Sequence, residues 1–431
     1  MEEDSSRATG PDSGFSKSIG SFRFLCFSLQ FVNALGSSYY FNYLFFYLRD
    51  HFGFTNRDNL CISALYGFVY CLGAWFAGPF GKKNGYFLAL KLGFGGMALS
   101  MVIGALAPVL LGFTNLALAI EVLVVIGWTF AMCLTWPTLQ YLLSREQNRQ
   151  QLSRTAGIYN MGWSGAAALA YLTSGALLDF FSGIKGLPVG REILFWFPAL
   201  LHFGQLAFLP KAEKLARSIP SIAEGRRGSE KTEEEPDSKA TPRAKMFLHL
   251  AWVANPFAYV AVYGLIPVIP ALAENFHLSA TMAGFVCSIW FWSRLGAFLW
   301  FSLWPGWHYR FGWLLASYLS AVAGFMAMLL AANLWILVAA QAVFGIAIGL
   351  IYYSSLFYSM DTGSSSGKKG GFHEAAIGLG IFLGPGTGVA ALYVLPNNAN
   401  VATWAMSGLM VIGLFLFLWV RYGLNPKANK E

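Results

Sequence analysis

Charge is what this chain has least of. Only 12% of its 431 residues are Asp, Glu, Lys or Arg, against about 25% in a soluble domain. So little charge cannot cover a water-facing surface of this length, which excludes an ordinary soluble enzyme and a disordered chain. Paired cysteines are lacking too. Cys26, Cys61, Cys71, Cys133 and Cys287 all lie in apolar stretches, and no CxxC occurs. They read as small buried hydrophobes, with neither a disulfide framework nor a thiolate metal site. Nor is there a Walker loop, a GxGxxG, an HExxH spacing or a plausible Ser-His-Asp set. No enzyme activity, cofactor or metal is expected, and an ATP-driven pump is disfavoured. The first 20 residues carry Glu2, Glu3, Asp4, Arg7, Asp12 and Lys17 and have no apolar core or cleavage site. They read as a cytosolic tail, not a signal peptide.

What is present is apolar. Hydrophobic residues make up 56% of the chain, with 46 Gly and 15 Trp, as suits a helical membrane protein packed on glycine and anchored by tryptophan. A spanning helix needs about 20 mostly apolar residues. Twelve runs qualify. The first six are 22–48, 60–80, 86–110, 116–142, 155–181 and 193–209; the second six are 247–273, 281–303, 311–332, 334–359, 373–395 and 401–422. Between the sets lies a polar stretch, 211–245, with RRGSEKTEEEPDSKATPR in it; it cannot bury enough surface to fold and reads as a disordered cytosolic linker. The sequence therefore divides into a tail (1–21), a six-helix half (22–210), the linker (211–245), a second six-helix half (246–425) and a short tail (426–431). The fold class expected is an all-α membrane protein of twelve transmembrane helices.

Basic residues give the orientation. If both termini are cytoplasmic, every Lys and Arg of the 29 falls on or near that side except Arg49, Arg57, Lys185, Arg191 and the intrahelical Arg294. That bias is the positive-inside pattern of an inner, cell-membrane protein. It also accounts for the net charge of +8: the charge is spread over loops, where it meets the lipid bilayer, so nucleic acid is not an expected partner.

The two halves echo each other. His51-Phe52-Gly53-Phe54-Thr55 matches Asn275-Phe276-His277-Leu278-Ser279, and Leu72-Gly73-Ala74-Trp75 matches Leu295-Gly296-Ala297-Phe298. Lys83-Asn84-Gly85 matches Arg310-Phe311-Gly312, and Asp50 and Tyr39 pair with Glu274 and Tyr263. A parallel repeat of two six-helix halves is a secondary-transporter architecture, with the site between the halves near the midplane.

At this point the chain resembles the major facilitator superfamily over about residues 20–425. The family signature between helices two and three runs roughly G-x-x-x-D-R-x-G-R-K; here stands Gly78-Pro79-Phe80-Gly81-Lys82-Lys83-Asn84-Gly85-Tyr86-Phe87. Gly78 and Gly85 match and Lys83 stands for the Arg, but Lys82 replaces the Asp and the trailing basic pair is absent. The resemblance implies a gating loop at Gly78, Lys83 and Gly85, with a counterpart at Arg310 and Gly312, but not the Asp-based charge network. Tyr39-Tyr40, Gly157-Ile158-Tyr159-Asn160 and Trp163-Ser164 resemble segments common in the superfamily. Gly384-Pro385-Gly386-Thr387-Gly388 is similar to a glycine-proline kink of antiporters, though that motif belongs to helix five and this one is in helix eleven.

The intramembrane charges rank first as candidate site residues, because a charge in lipid costs a few kcal/mol and is usually paired or functional. Arg294 lies about mid-bilayer in helix eight. It is an anchor for an anionic or polar substrate or a gating carboxylate, or else it bonds backbone carbonyls or Asn160 and Ser164 of helix five, which the resemblance brings beside helix eight. Glu121 in helix four reads either as a proton carrier or as an interfacial carboxylate that reaches water. Glu374, after His373, reads as a proton or gate residue, or as a carboxylate at a positive helix end. Asp50 and Glu274 cap their helices outside, and His202 reads as structural. Lys91 is expected to snorkel, and Asp361 to meet Lys368-Lys369 or water.

Neutral polar residues recur at helical spacing: Gln30, Asn33, Ser37 and Tyr40; Trp252, Asn255, Tyr259 and Tyr263; Trp128, Met132, Trp136 and Gln140; Gln341, Tyr352, Ser355 and Ser359. The resemblance implies that helices one, four, seven and ten line the cavity, so Asn33, Ser37, Tyr40, Trp136, Asn160, Asn255, Tyr259, Tyr263 and Arg294 are the expected substrate-binding residues. Helix–helix hydrogen bonding is the alternative reading of these stripes. Pro267 and Pro270 break helix seven, as a hinge or a static bend.

The expectation is a monomeric secondary transporter moving a small organic solute by alternating access, coupled to protons through Glu121 and Glu374. Two alternatives stay open: an uncoupled facilitative carrier, and a membrane receptor or sensor on a transporter scaffold. Symport and antiport are not distinguished.

Overall fold

The structure, a computed structural model, describes residues 12–145, 149–183, 192–219, 241–362, 368–398 and 400–424. Among them are twelve helices long and apolar enough to cross a membrane. They are α1 (Ser18–Phe52), α2 (Asn56–Asn84), α3 (Tyr86–Leu111), α4 (Asn115–Ser144), α5 (Arg154–Phe181) and α6 (Ile193–Arg217). The second set is α7 (Pro242–Asn275), α8 (Ala280–Leu303), α9 (Phe311–Leu329), α10 (Leu334–Ser359), α11 (Glu374–Val394) and α12 (Val401–Leu424). Odd helices start at the end where the chain begins, here the terminal end, and even helices start at the opposite end.

The short connections are written in the sequence. Thr55 and Asp58 form a reciprocal capping box that starts α2, each side chain satisfying an orphan backbone donor. The hydroxyls of Thr114, Thr241 and Ser279 cap α4, α7 and α8 by accepting one backbone N–H each, and Pro242 occupies the first turn of α7, where its missing N–H costs nothing. A single residue, Gly85, joins α2 to α3 at φ +101°, a conformation that favours glycine.

Three helices are interrupted. α4 breaks at Leu134-Thr135 before Trp136-Pro137, with the Thr135 hydroxyl donating to the Met132 carbonyl at 2.7 Å. α7 tightens to a 3₁₀ turn at Ile266–Val268 and resumes at Ile269, because Pro267 and Pro270 cannot donate to the helical ladder. α8 is divided at Ser288. In lipid a freed carbonyl needs a protein partner, and the Asn59 amide of α2 supplies one to Pro267 at 3.1 Å.

α1, α3, α4, α5 and α6 pack on one another, and α2 on α4; α7 packs on α10, α11 and α12, while α9 and α10 pack together and α8 on α10. The two sets meet along two seams, α2 against α11 and α5 against α8. Both seams are built on glycine. A Cβ at Gly67 would strike the backbone of Ile381 and Phe382, and one at Gly378 would sit 2.8 Å from the Cα of Cys71. At the other seam a Cβ at Gly175 would strike the Ala280 carbonyl.

Several boundaries differ from the sequence reading. The helix that becomes α1 already runs from Asp12, so the tail assigned to 1–21 overlaps it. α6 continues to Arg217, because Glu213 pairs with Lys91 at 2.8 Å and with Arg217 at 3.0 Å. Lys91 is thus paired, not merely snorkelling. The linker assigned to 211–245 overlaps α6 and α7, and its middle, 220–240, lies outside the described residues, as do 1–11 and 425–431. Gly312 sits inside α9 rather than at the turn, whose left-handed residue is Tyr309 at φ +52°. Asp361 accepts a hydrogen bond from the Tyr309 hydroxyl.

Candidate functional site

A cavity of about 150 Å³ lies between the two sets of helices, a size that holds a benzene ring. α1 gives it Ser37, Phe41 and Asn42, and α2 gives Tyr66 and Tyr70. α4 contributes Trp128 and Trp136, α5 Tyr159 and Trp163, α7 Tyr259 and Tyr263, and α10 Tyr352. Two charged groups reach it, Arg294 from α8 and Glu374 from α11.

Arg294 is 4% exposed. Its guanidinium carbon lies 4.4 Å from the Trp163 ring centre, 4.9 Å from Phe291 and 5.0 Å from Trp290. These ring faces offset part of the desolvation of the cation. Its Nε donates to the Ser164 hydroxyl at 3.4 Å, and one terminal nitrogen has no partner. Asn160 does not bond the Arg; its side-chain oxygen accepts from Trp163 Nε1 at 3.0 Å and so holds the indole under the guanidinium. A buried donor with an unfilled valence is costly, and a ligand acceptor would satisfy it.

At the terminal side of the cavity Glu374 accepts from the Tyr70 hydroxyl at 2.9 Å. Aromatic rings wall the space between. Tyr66 and Tyr263 stack at 5.4 Å and 16°, Tyr259 and Tyr263 at 6.1 Å and 20°, and Phe41 lies 4.3 Å from Tyr66. Such walls grip flat apolar bodies.

The opposite end of the molecule is tied shut across the two sets of helices. Arg49 makes a two-pronged pair with Glu274 at 2.6 Å on each side. Asp179 accepts from the Thr281 N–H at 3.0 Å and its hydroxyl at 2.6 Å. Asn59 holds the Pro267 carbonyl, and Ser63 donates to the Tyr263 carbonyl at 3.1 Å.

Of the residues expected to bind substrate, Ser37, Trp136, Tyr259, Tyr263 and Arg294 line this cavity, and so does Glu374. Asn33, Tyr40, Asn160 and Asn255 are not among its lining side chains. Asn33 donates to Thr135 Oγ at 3.0 Å, at the break in α4. Tyr40 packs edge-on to Trp128 at 4.8 Å and near Phe195 at 5.5 Å. Asn255 is fully buried in α7. Gly78 and Lys83 near the end of α2, Gly85 in the turn after it, and Arg310 and Gly312 at the start of α9 all lie at the terminal end and do not line the cavity. His202 is buried on α6, bonded to Gln205 at 2.8 Å, with Gly36 making room for its ring.

Glu121 is also outside the cavity. It is 1% exposed, inside the first set of helices, with Tyr40 and Tyr47 of α1 facing it and Gly104 of α3 leaving space for it. It forms no ion pair among the described residues. The residues that sequence reasoning missed are Phe41, Tyr66, Tyr70 and Trp163. The signal for two of them was present: Tyr66 and Tyr70 stand one turn apart, beside the small residues Gly67 and Gly73. A second hollow of about 430 Å³, walled by Phe24, Phe27, Phe31, Val32 and Ile158 between α1 and α5, presents almost no polar surface. Among the described residues no group of three or more His, Cys, Asp or Glu could hold a metal ion.

The sequence profile of the Major Facilitator Superfamily matches residues 4–218. Three solved structures share the fold. The xylose transporter XylE from E. coli, in a partially occluded inward open conformation, is 12% identical with a TM-score of 0.65, over 94% of this chain and 99% of that one. The nucleoside transporter NupG is 14% identical with a TM-score of 0.65, over 93% and 99%. A structure on substrate recognition in proton dependent oligopeptide transporters is 14% identical with a TM-score of 0.64, over 94% and 98%. A search of curated proteins returns no significant match.

Proposed function

Because the chain belongs to the major facilitator superfamily, we propose that it carries a small organic solute through the cavity between its two sets of helices by alternating access. The carrying observation is the cavity itself: a buried cation with an unfilled valence, aromatic walls, and an ion pair with three further hydrogen-bonded ties between the halves at the opposite end. In this reading the structure is a carrier closed at the opposite end. The positive-inside bias makes the terminal end cytoplasmic, in a cell membrane. Breaking the Arg49–Glu274 and Asp179–Thr281 ties, and tightening the terminal end, converts it to the other state. Arg294 anchors the solute.

Proton coupling rests on Glu121. It is a buried carboxyl with no ion pair among the described residues, and a rocking half would change its surroundings. Glu374 is the second candidate, since it lies in the cavity and bonds a tyrosine of the other half.

The test is exchange in proteoliposomes with sugars, nucleosides, amino acids and carboxylates. Saturable counterflow of one class, lost in Arg294→Ala, is the expected result; a lack of exchange for every class, or full exchange in the variant, overturns the reading. Accumulation driven by an imposed pH gradient separates a coupled carrier from a facilitative one.

A further inference from the structure

Resting on the carrier reading, we infer that the substrate is a zwitterion: an anionic group on Arg294, a cationic group on Glu374, and a flat apolar body between them. Three observations carry this. First, Arg294 and Glu374 are the charged side chains of the cavity, and they do not pair with each other. Two opposite charges in one low-dielectric space attract strongly; kept apart, each is left to a ligand. Second, their valences are unequal and complementary. Arg294 keeps a terminal nitrogen with no partner, so it can donate to a carboxylate or a phosphate. Glu374 has one oxygen bonded to the Tyr70 hydroxyl, and its other oxygen can accept from an ammonium. Third, the ground between them is aromatic. Tyr259 and Tyr352 lie within electrostatic reach of both Arg294 and Glu374, and Tyr259 stacks on Tyr263, which stacks on Tyr66. Ring faces attract cations as well as flat rings, so they suit the body and the positive end of such a solute.

A neutral solute leaves both charges unmatched, the buried Arg294 and the half-buried Glu374 alike. A simple anion matches Arg294 and leaves an added negative charge near Glu374; a simple cation does the reverse. Discrimination against a ligand that lacks a needed polar partner is large when the site's own groups are buried.

The test uses four matched probes: 4-(aminomethyl)benzoate, 4-methylbenzoate, 4-methylbenzylamine and 4-methylbenzamide. They share one ring and differ in charge. Binding to the purified full chain is read by thermal shift, since a ligand of the folded state raises the melting temperature by mass action, and by calorimetry. The wild type is expected to bind the zwitterion at least tenfold more tightly than the other three. Glu374→Gln should level the zwitterion with the anion, and Arg294→Gln should level it with the cation. Glu374→Gln keeps the Tyr70 bond acceptor, so it reports even if Arg294→Gln does not fold. Equal or tighter binding of the neutral probe, no binding of the zwitterion, or an unchanged preference in Glu374→Gln overturns the inference. Counterflow of any other solute class in proteoliposomes would then leave the carrier reading standing; a lack of exchange for all classes would remove both.

Discussion

Tyr70 and Glu374 join the two halves of the protein by one hydrogen bond of 2.9 Å at the terminal side of the cavity. Tyr70 stands in α2 and Glu374 at the start of α11, so the bond spans a seam along which the two backbones nearly touch. A hydroxyl bonded to an ionised carboxylate contributes about 1.5–3 kcal/mol. A cationic substrate group at Glu374 would compete with that hydroxyl, which links solute binding to the contact between the halves.

The Arg49–Glu274 pair should act on conformation more than on folding. Its side chains are 23% and 57% exposed, and such pairs contribute about 0–1 kcal/mol. Glu274→Ala should raise alkylation of a cysteine placed at Ser63, behind the tie, by up to about fivefold. The charge swap Arg49→Glu with Glu274→Arg should return it to the starting rate. Unchanged alkylation in Glu274→Ala would mean the pair does not hold the closed end.

Asn59 should matter to stability. It is fully buried and its amide serves two carbonyls, Phe45 at 3.2 Å and Pro267 at 3.1 Å. Asn59→Leu leaves both without that donor, at about 1–3 kcal/mol. The melting temperature in detergent should fall, and a value equal to the wild type would show that other donors replace it.

Gly175 and Gly162 should behave oppositely on the same helix. A Cβ at Gly175 meets the Ala280 backbone, whereas one at Gly162 meets nothing within 4 Å. Gly175→Ala should cost about 1–3 kcal/mol by overpacking. Gly162→Ala should be neutral or slightly stabilising through helix propensity. Thermal unfolding of the two variants side by side checks this.

Glu121→Gln should fold, because the amide keeps the shape and needs no cation. If Glu121 carries the proton, the variant's transport should lose its pH dependence while counterflow persists. An unaltered pH profile would move the coupling role away from Glu121.

His308 gives an acid dependence of stability with a definite sign. It lies between α8 and α9, stacked on Phe357 at 4.0 Å. Burial lowers its pKa, with Asp361 opposing. The unfolded chain therefore binds a proton from about pH 6.5 downward that the folded chain does not. Stability should be unaffected above that range and should fall as pH drops below it. The loss of melting temperature between pH 7.5 and 5 should be smaller in His308→Gln than in the wild type.

The twelve helices were legible because lipid demands long apolar runs, and those runs carry few charges. The break in α8 was not, since Ser288 is an ordinary residue whose hydroxyl turns back on its own helix; the break in α4 had a signal in Pro137, at the start of the resumed helix, that was not read. Prolines announced the break in α7. Arg294 was legible for the same reason as the helices: a charge within an apolar run has few explanations. Asn33 and Tyr40 were on the right helix but bond or pack within the first set of helices, since helical spacing gives a stripe and not the neighbour it meets. Tyr66 and Tyr70 were missed because α2 was read for its loop and its repeat, and its cavity face is aromatic rather than polar.

The glycine contact of α2 with α11 has a mechanical meaning. Cys71, where Gly378 bears on the backbone of α2, lies 13 residues from the last residue of α2, Asn84, which is about 20 Å of helix. With two backbones bearing on each other at that point, the rest of α2 is a lever. A tilt of about 10° at the fulcrum swings its tip by roughly 3.5 Å, so a motion too slight to disturb the seam can still swing the tip by more than the width of a water molecule.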